Sequence, residues 1–299
     1  MSSENKSRSG PKFSVLVPCY NEIEALPEAV ETLIEKVGKR GRWELIVIDD
    51  GSTDGTGEQL QKLEKKIAKL QVIKHEFNRG YGAALKTGIH ASRSNIIVIT
   101  DADGTYPNER IPDLVGLADK YDMVVGARTS DNVTYSKIRA IPKVFLRAYA
   151  SWIAGEDIPD INSGLRAFKK DVILRFLPML SNKFSFTTTS TLAFLTNDYR
   201  VTYEPIDYFE RTGQSKIQPI RDTLRFVTLI MRMGMYFAPL RVLTPFIGAL
   251  SFCFLVSLCF DVFVIENITD KTIMLLLFSM NTGFFALLAD MIEKRNARG

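Results

Sequence analysis

Residues 96–107 read IIVITDADGTYP. Ile96 to Thr100 are all β-branched, a pattern that favours a buried strand, and Gly104 and Pro107 then break regular structure. Asp101 and Asp103 therefore arrive where a strand ends. In extended backbone alternate residues face the same way, so the two carboxylates share a side with the small Ala102 between them. Hard oxygen donors on one face suit Mg2+ or Mn2+, and such an ion in turn holds a diphosphate. The bland alternative is an acidic loop behind a buried strand, and the rest of the chain decides between the two.

Upstream, Phe13 to Val17 is a short apolar run stopped by Pro18. PCYNE (residues 18–22) then leads into a helical stripe of Ile23, Leu26, Val30, Leu33, Ile34 and Val37. ELIVIDDGSTDGT (residues 44–56) joins a second buried strand to an acidic Gly/Ser turn and a helix from near Asp54. Val72 to His75 reads as a third strand, and the glycines of NRGYGAA (residues 78–84) open another helix. Ile96 to Thr100 is the fourth strand, and Met123 to Val125 begins a fifth that ends at Gly126-Ala-Arg128. Strands alternating with helices predict an α/β fold with a mostly parallel sheet covered on both faces. Ligands of such sheets bind beyond the carboxyl ends of the strands. Residues 18–22, Asp49 and Asp50, Asp101 and Asp103, and Arg128 all fall at those ends, which favours a functional role for the aspartates. The turn GSTDGTG (residues 51–57) lacks the Gly-Lys-Ser/Thr ending of a phosphate-binding loop. With Asp49 and Asp50 ahead of it, the turn would repel a bare phosphate and suits ribose hydroxyls or base N–H groups instead.

The chain has 299 residues and a formal net charge of +4, which suits one large domain or two modest ones and does not point to nucleic acid. Cys19, Cys253 and Cys259 show no metal-ligand spacing, and neither do the only histidines, His75 and His90, which read as structural. The polar start, residues 1–11, reads as a disordered tail without the apolar core of a signal peptide. Toward the other end, Val242 to Phe260 and Thr272 to Ala289 carry no charge. Each is close to the roughly 18–20 residues that cross a bilayer as a helix. Arg241 precedes this pair and Lys294, Arg295 and Arg298 follow it, which places both ends of the chain in the cytoplasm. Asp261 is expected near the outer end of the first span, within reach of water. Residues 218–241 mix Arg221, Arg225 and Arg232 with Leu224, Phe226, Ile230, Met233 and Tyr236. This is the composition of an interfacial amphipathic helix with its apolar side in the acyl boundary; a helix packed on the preceding domain is the alternative.

The ordered motifs PCYNE, DDGSTDGT, DADGTYP, DINSGLRAF (residues 160–168) and RTGQSK (residues 211–216) resemble those of family 2 glycosyltransferases with a GT-A fold. Within that family they are most similar to the dolichol-phosphate mannosyltransferase and polyprenyl-phosphate glycosyltransferase branch. The processive synthases carry a QxxRW signature, whereas Trp43 and Trp152 stand in other contexts. The resemblance implies that Pro18, Tyr20, Glu22 and Asp50 hold the nucleoside. It implies that Asp101 and Asp103 bind Mg2+ or Mn2+ and the donor diphosphate, with backbone contacts from Ala102. Arg128, Arg139, Arg211 and Lys216 would handle the phosphates of donor and acceptor. Asp160 is the candidate base or acceptor-orienting carboxylate, the alternative being a cap on its own loop. The mannose enzymes usually carry glutamine where this chain has Thr105, which leaves the role of that position at the metal open.

The expected organisation is a GT-A catalytic domain at residues 12–217, an interfacial segment at 218–241, and a transmembrane hairpin with a basic tail at 242–299. The expected activity is inverting transfer of a mannose- or glucose-type hexose from a GDP- or UDP-sugar to a dolichyl or undecaprenyl phosphate at the cytoplasmic face of the membrane. The alternatives are transfer to another membrane glycolipid, or a non-catalytic nucleotide-sugar-binding scaffold. A two-helix anchor also leaves room for a homo-oligomer.

Overall fold

The computed structural model describes residues 10–38, 41–129, 140–183, 185–209 and 219–297. Its centre is a seven-stranded sheet in the order β3-β2-β1-β4-β6-β5-β7. The strands are β1 (Phe13–Cys19), β2 (Trp43–Asp49), β3 (Leu70–Lys74), β4 (Ile96–Ile99), β5 (Met123–Ala127), β6 (Arg166–Lys169) and β7 (Val201–Pro205). All neighbours pair in parallel except β6, which runs antiparallel to both β4 and β5. The five strands expected from the apolar runs are present within a few residues of their expected limits. β6 and β7 carry no comparable run and emerge only in the folded sheet.

Side-chain alternation divides the strand residues between two cores. Leu16, Ile46, Ile48, Ile97, Ile99 and Phe168 face one side, and Val15, Val17, Leu45, Val47, Val98 and Ala167 the other. Helices α1 (Leu26–Val37), α2 (Thr56–Lys66) and α4 (Ile111–Leu117) cover the second side. Helices α3 (Tyr81–Ala91), α5 (Ala140–Ala154), α6 (Lys170–Phe176) and α7 (Phe186–Thr196) cover the first. Burial on both faces explains why the strands read as unbroken apolar runs rather than alternating ones.

Helix α8 (Pro219–Phe237) differs from expectation. Its apolar residues Ile230, Met233 and Phe237 are buried in the core of the α/β domain rather than offered to lipid. Packing against α5 and α7 removes that face from water. Met231, Met235 and Tyr236 form its exposed side; the side chains of Arg221 and Arg225 lie outside the described residues.

Helix α9 (Pro239–Phe260) continues through a π-helical turn (Asp261–Ile265), and α10 (Asp270–Ala297) returns antiparallel beside it. Both are long and apolar enough to cross a membrane, and they leave Phe252, Phe263, Phe285 and Met291 exposed. Asp261 does not reach water as expected. It is fully buried, and its Oδ2 accepts bonds from Thr269 N at 2.7 Å, Thr269 Oγ1 at 2.6 Å and Thr272 Oγ1 at 2.7 Å. With the Ser257–Thr272 bond at 2.5 Å and Ser251–Ser279 at 2.7 Å, it fastens the two helices together. In lipid such groups must find partners inside the protein.

Candidate active site

The carboxyl ends of β1, β2, β4 and β5 open on one rim, and the antiparallel β6 begins there. That reversal brings the loop of residues 160–165 beside the aspartates of β4, although some sixty residues of chain separate them. Two loops interlock at the β1–β2 end. Asn21, in a left-handed conformation at φ 55°, donates from its N to Ser52 Oγ at 2.9 Å and accepts Thr53 N on Oδ1 at 2.9 Å. Glu22 N donates to Thr56 Oγ1 at 3.1 Å, and Ile23 N to Asp54 Oδ2 at 3.2 Å. Pro18 is buried under this junction, Glu22 is half-buried, and Tyr20 stands out with 45% exposure.

Asp50, expected to hold the nucleoside directly, is turned inward and is 3% exposed. Its carboxylate accepts His75 Nδ1 at 2.7 Å, Arg79 N at 3.0 Å and Gly80 N at 2.7 Å. His75 Nε2 pairs in turn with Thr87 Oγ1 at 2.9 Å. The group thus braces the turn at residues 76–80, and a buried carboxylate with three partners has no surface left for a sugar hydroxyl. His75 is structural, as expected. Gly51 lets that turn approach, since a Cβ there would lie 2.5 Å from the Phe77 carbonyl carbon.

Asp101 and Asp103 lie just past β4, both half-buried, with Ala102 buried between them. Tyr81 OH donates to Asp101 Oδ1 at 3.1 Å. Burial, and then the charge of Asp101, hold the Tyr81 phenol well above its ordinary value, so it remains a donor. Thr105, only 1% exposed, donates from Oγ1 at 2.7 Å and from its backbone N at 3.2 Å to Asp103 Oδ1. The hydroxyl at this position therefore orients a carboxylate. The loop before β6 presses on the pair from the other side: a Cβ on Gly164 would meet Asp101 Oδ2 at 2.7 Å. Gly164 N donates to Tyr106 OH at 2.7 Å, and burial followed by the Asp101 charge keeps that phenol protonated as well.

Arg128 and Asp160 form a two-pronged ion pair, Nε to Oδ2 at 2.7 Å and Nη2 to Oδ1 at 2.9 Å. Arg128 Nη2 also reaches Asn162 Oδ1 at 2.7 Å, and the guanidinium lies 5.2 Å from the centre of the Tyr208 ring. Burial alone would raise the Asp160 pKa, but the bonds and charge of Arg128 outweigh it and hold the carboxyl below its usual range. Beneath the loop Arg166 is fully buried, with Nη2 on Ser163 O at 2.6 Å and Nη1 on Thr187 O at 2.9 Å. Tyr106, Gly164 and Arg166 lie inside the DADGTYP and DINSGLRAF motifs and Tyr81 inside NRGYGAA, but their sequence context assigns none of them a role. Arg139, Arg211 and Lys216 lie outside the described residues.

The family model for glycosyl transferase family 2 matches residues 14–176, the span that holds the interlocked loops, the aspartate pair and the loop before β6. The chain belongs to glycosyl transferase family 2. Among its relatives is the undecaprenyl-phosphate 4-deoxy-4-formamido-L-arabinose transferase of Salmonella typhimurium, 34% identical over 225 residues, which are 70% of this chain and 64% of that protein. The transferase of the same name from Pseudomonas savastanoi pv. phaseolicola is 31% identical over 248 residues, 77% of this chain and 67% of that protein. The chain thus spans about two thirds of the length of these relatives. In fold, this family 2 chain is similar to the crystal structure of glucosyl-3-phosphoglycerate synthase from Mycobacterium tuberculosis in complex with Mn2+, uridine diphosphate and phosphoglyceric acid. There the TM-score is 0.55 at 18% identity, covering 76% of this chain and 80% of that one. It is also similar to S. aureus TarS 1-349, with a TM-score of 0.56 at 16% identity over 96% of this chain and 90% of that one.

Proposed function

We propose that the chain is a membrane-anchored glycosyltransferase that moves a sugar from a nucleotide diphosphate to the phosphate of a polyprenyl lipid, inverting the anomeric carbon. One observation carries this most: Asp101, Asp103 and the Arg128–Asp160 pair meet on one rim of a domain that leads directly into two apolar, exposed helices. The names of the relatives support a polyprenyl-phosphate acceptor. Arg241 ahead of the hairpin and Lys294 behind it support a cytoplasmic catalytic domain.

The donor set fits Mg2+ or Mn2+. Two half-buried carboxylates, each held by a hydroxyl, suit a hard ion shared with a substrate diphosphate. Among the described residues no group of three or more His, Cys, Asp or Glu offers a closed protein cage. An ion held by Asp101 and Asp103 would supply Lewis-acid neutralisation of the charge that grows on the leaving diphosphate. Tyr81 and Thr105 fix the rotamers of Asp101 and Asp103. Arg128 brings positive charge to the same rim, its plane set by Asp160 and Asn162. Asp160, ionised and paired, is a positioning group in this scheme rather than a base. None is needed, because a phosphomonoester with a second pKa of about 6 is already anionic near neutral pH. Its oxygen attacks the anomeric carbon, and the bond from that carbon to the diphosphate breaks with its electron pair leaving on the nucleotide. Arg139, Arg211 and Lys216 are assigned to phosphates on the family resemblance.

The test incubates membranes containing the full chain with labelled GDP- and UDP-hexoses and a formamido-arabinose nucleotide, Mg2+ or Mn2+, and either undecaprenyl or dolichyl phosphate. Labelled lipid-phosphate sugar is expected from one donor, and Asp103→Asn is expected to abolish it without releasing the protein from the membrane. Label on another glycolipid, or on none, defeats the proposal.

A further inference from the structure

The first span is not simply tethered to the catalytic domain. At the start of α9, Arg241 Nη1 donates to Ile153 O at the end of α5 at 2.9 Å, while Trp152 Nε1 donates back to Arg241 O at 3.3 Å. The guanidinium lies on Gly155, whose φ is 78° and where a Cβ would sit 2.4 Å from Nη1. Only glycine meets both demands. Seven residues before Arg241, a second close contact is made over glycine: a Cβ on Gly234 of α8 would lie 2.6 Å from Val242 Cγ2 and 2.8 Å from Ile153 Cδ1. Val242 is buried at 2% exposure. Helices α5, α8 and α9 thus meet at two close contacts made over glycine, and such packed contacts fix an angle where a flexible linker would not.

What this joint holds in place is the rim. Gly155 opens the loop that runs through Ile158, whose N is fixed on Ser151 Oγ at 3.1 Å, to Asp160 and its ion pair with Arg128. Arg241 therefore touches the membrane anchor at one end and, five residues from Asp160, the loop of the site at the other. A positive-inside charge alone needs neither a bond to Ile153 O nor a glycine beneath it.

We infer that Arg241, seated on Gly155, is a positioning residue that sets the height and tilt of the catalytic rim over the bilayer, and so presents the site to an acceptor phosphate at the membrane surface. This rests on the acceptor proposed above, since only a bilayer-resident substrate is sensitive to that geometry. A freely diffusing acceptor with the same headgroup is indifferent to it.

The full chain in liposomes, supplied with the nucleotide sugar that labels lipid in the panel above, is assayed on undecaprenyl phosphate in the bilayer and on a short, water-soluble isoprenyl phosphate. Arg241→Ala and Gly155→Ala are each expected to lower transfer to the bilayer acceptor by about tenfold or more, since small misplacements of a site have effects of that size. Transfer to the soluble acceptor should change by less than about twofold on the same scale. The double variant should lose less than the product of the two single losses, because both act on the Arg241–Gly155 contact while Ala at 155 keeps the strain of the positive φ. Arg241→Lys keeps the charge but not the planar seat and should resemble Arg241→Ala. Equal losses on both acceptors, no loss on either, or full activity of Arg241→Lys would each overturn the inference. A wild-type chain that labels neither acceptor would instead overturn the proposed function.

Discussion

Replacing Gly164 by alanine tests whether Asp101 works at the reacting centre. The new Cβ would lie 2.7 Å from Asp101 Oδ2 and 3.1 Å from its Cγ. Carbon and oxygen ordinarily approach to roughly 3.3 Å, so the carboxylate has to retreat by about 0.6 Å. Functional groups must be held to about 0.5 Å, and displacements near 1 Å lower rates by about 100-fold. Transfer should therefore fall by about 10- to 100-fold, equivalent to about 1.4–2.7 kcal/mol of transition-state stabilisation, with a higher requirement for Mg2+ or Mn2+. Folding should change little, because the overlap is relieved by a side-chain shift while alanine restricts the unfolded chain by about 0.4–1 kcal/mol. The assay is labelled-lipid formation against metal concentration, paired with thermal unfolding in detergent. Gly116→Ala is the control, since nothing lies within 4 Å of a Cβ there and the substitution should leave activity intact. Wild-type rate and metal dependence in Gly164→Ala would refute the role given to Asp101, and a large fall in melting temperature would show the effect to be structural.

Thr105→Val keeps the shape of a buried residue but removes the donor to Asp103; metal affinity should fall by about 10- to 100-fold and recover at high Mn2+. Asp160→Asn leaves the Arg128 guanidinium half-paired and should lower stability by about 2–4 kcal/mol, read from denaturant unfolding. The folded pKa of Asp160 is depressed, so its contribution is complete above the unfolded value of about 3.9 and is lost only as pH falls through the lower folded value. The pH–rate profile of Asp160→Asn between about pH 5 and 8 should keep its wild-type shape at reduced height; loss of an acidic limb in that window would restore the base role. A chain ending at Lys216 should aggregate, because it lacks the α8 residues Ile230, Met233 and Phe237, each worth about 1.5–3 kcal/mol when buried. One ending after Phe237 should stay folded, as size-exclusion chromatography would show.

Much of this was legible along the chain because it depends on local pattern. Unbroken apolar runs fixed the strands that are covered on both faces, the aspartates after Thr100 marked a strand end, and the motif order identified the family. The uncharged runs gave the two long helices. Other expectations failed where the local signal was ambiguous. A helix mixing arginines with apolar residues has the same composition whether its apolar side meets lipid or protein, and only the presence of α5 and α7 beside α8 assigns Ile230, Met233 and Phe237 to protein. Asp261 at the edge of an apolar run looked solvent-directed until the return of α10 supplied Thr269 and Thr272.

The sequence by itself determined which residues end strands at the rim, since alternation and turn chemistry act over a few residues. Tertiary structure alone decided what those residues face. The antiparallel entry of β6 sets Gly164 against Asp101 and Asp160 against Arg128, and the glycine-cushioned joint at Gly155 ties that loop to the first span. Such pairings follow from strand order and close approach between distant segments, and no local pattern encodes either.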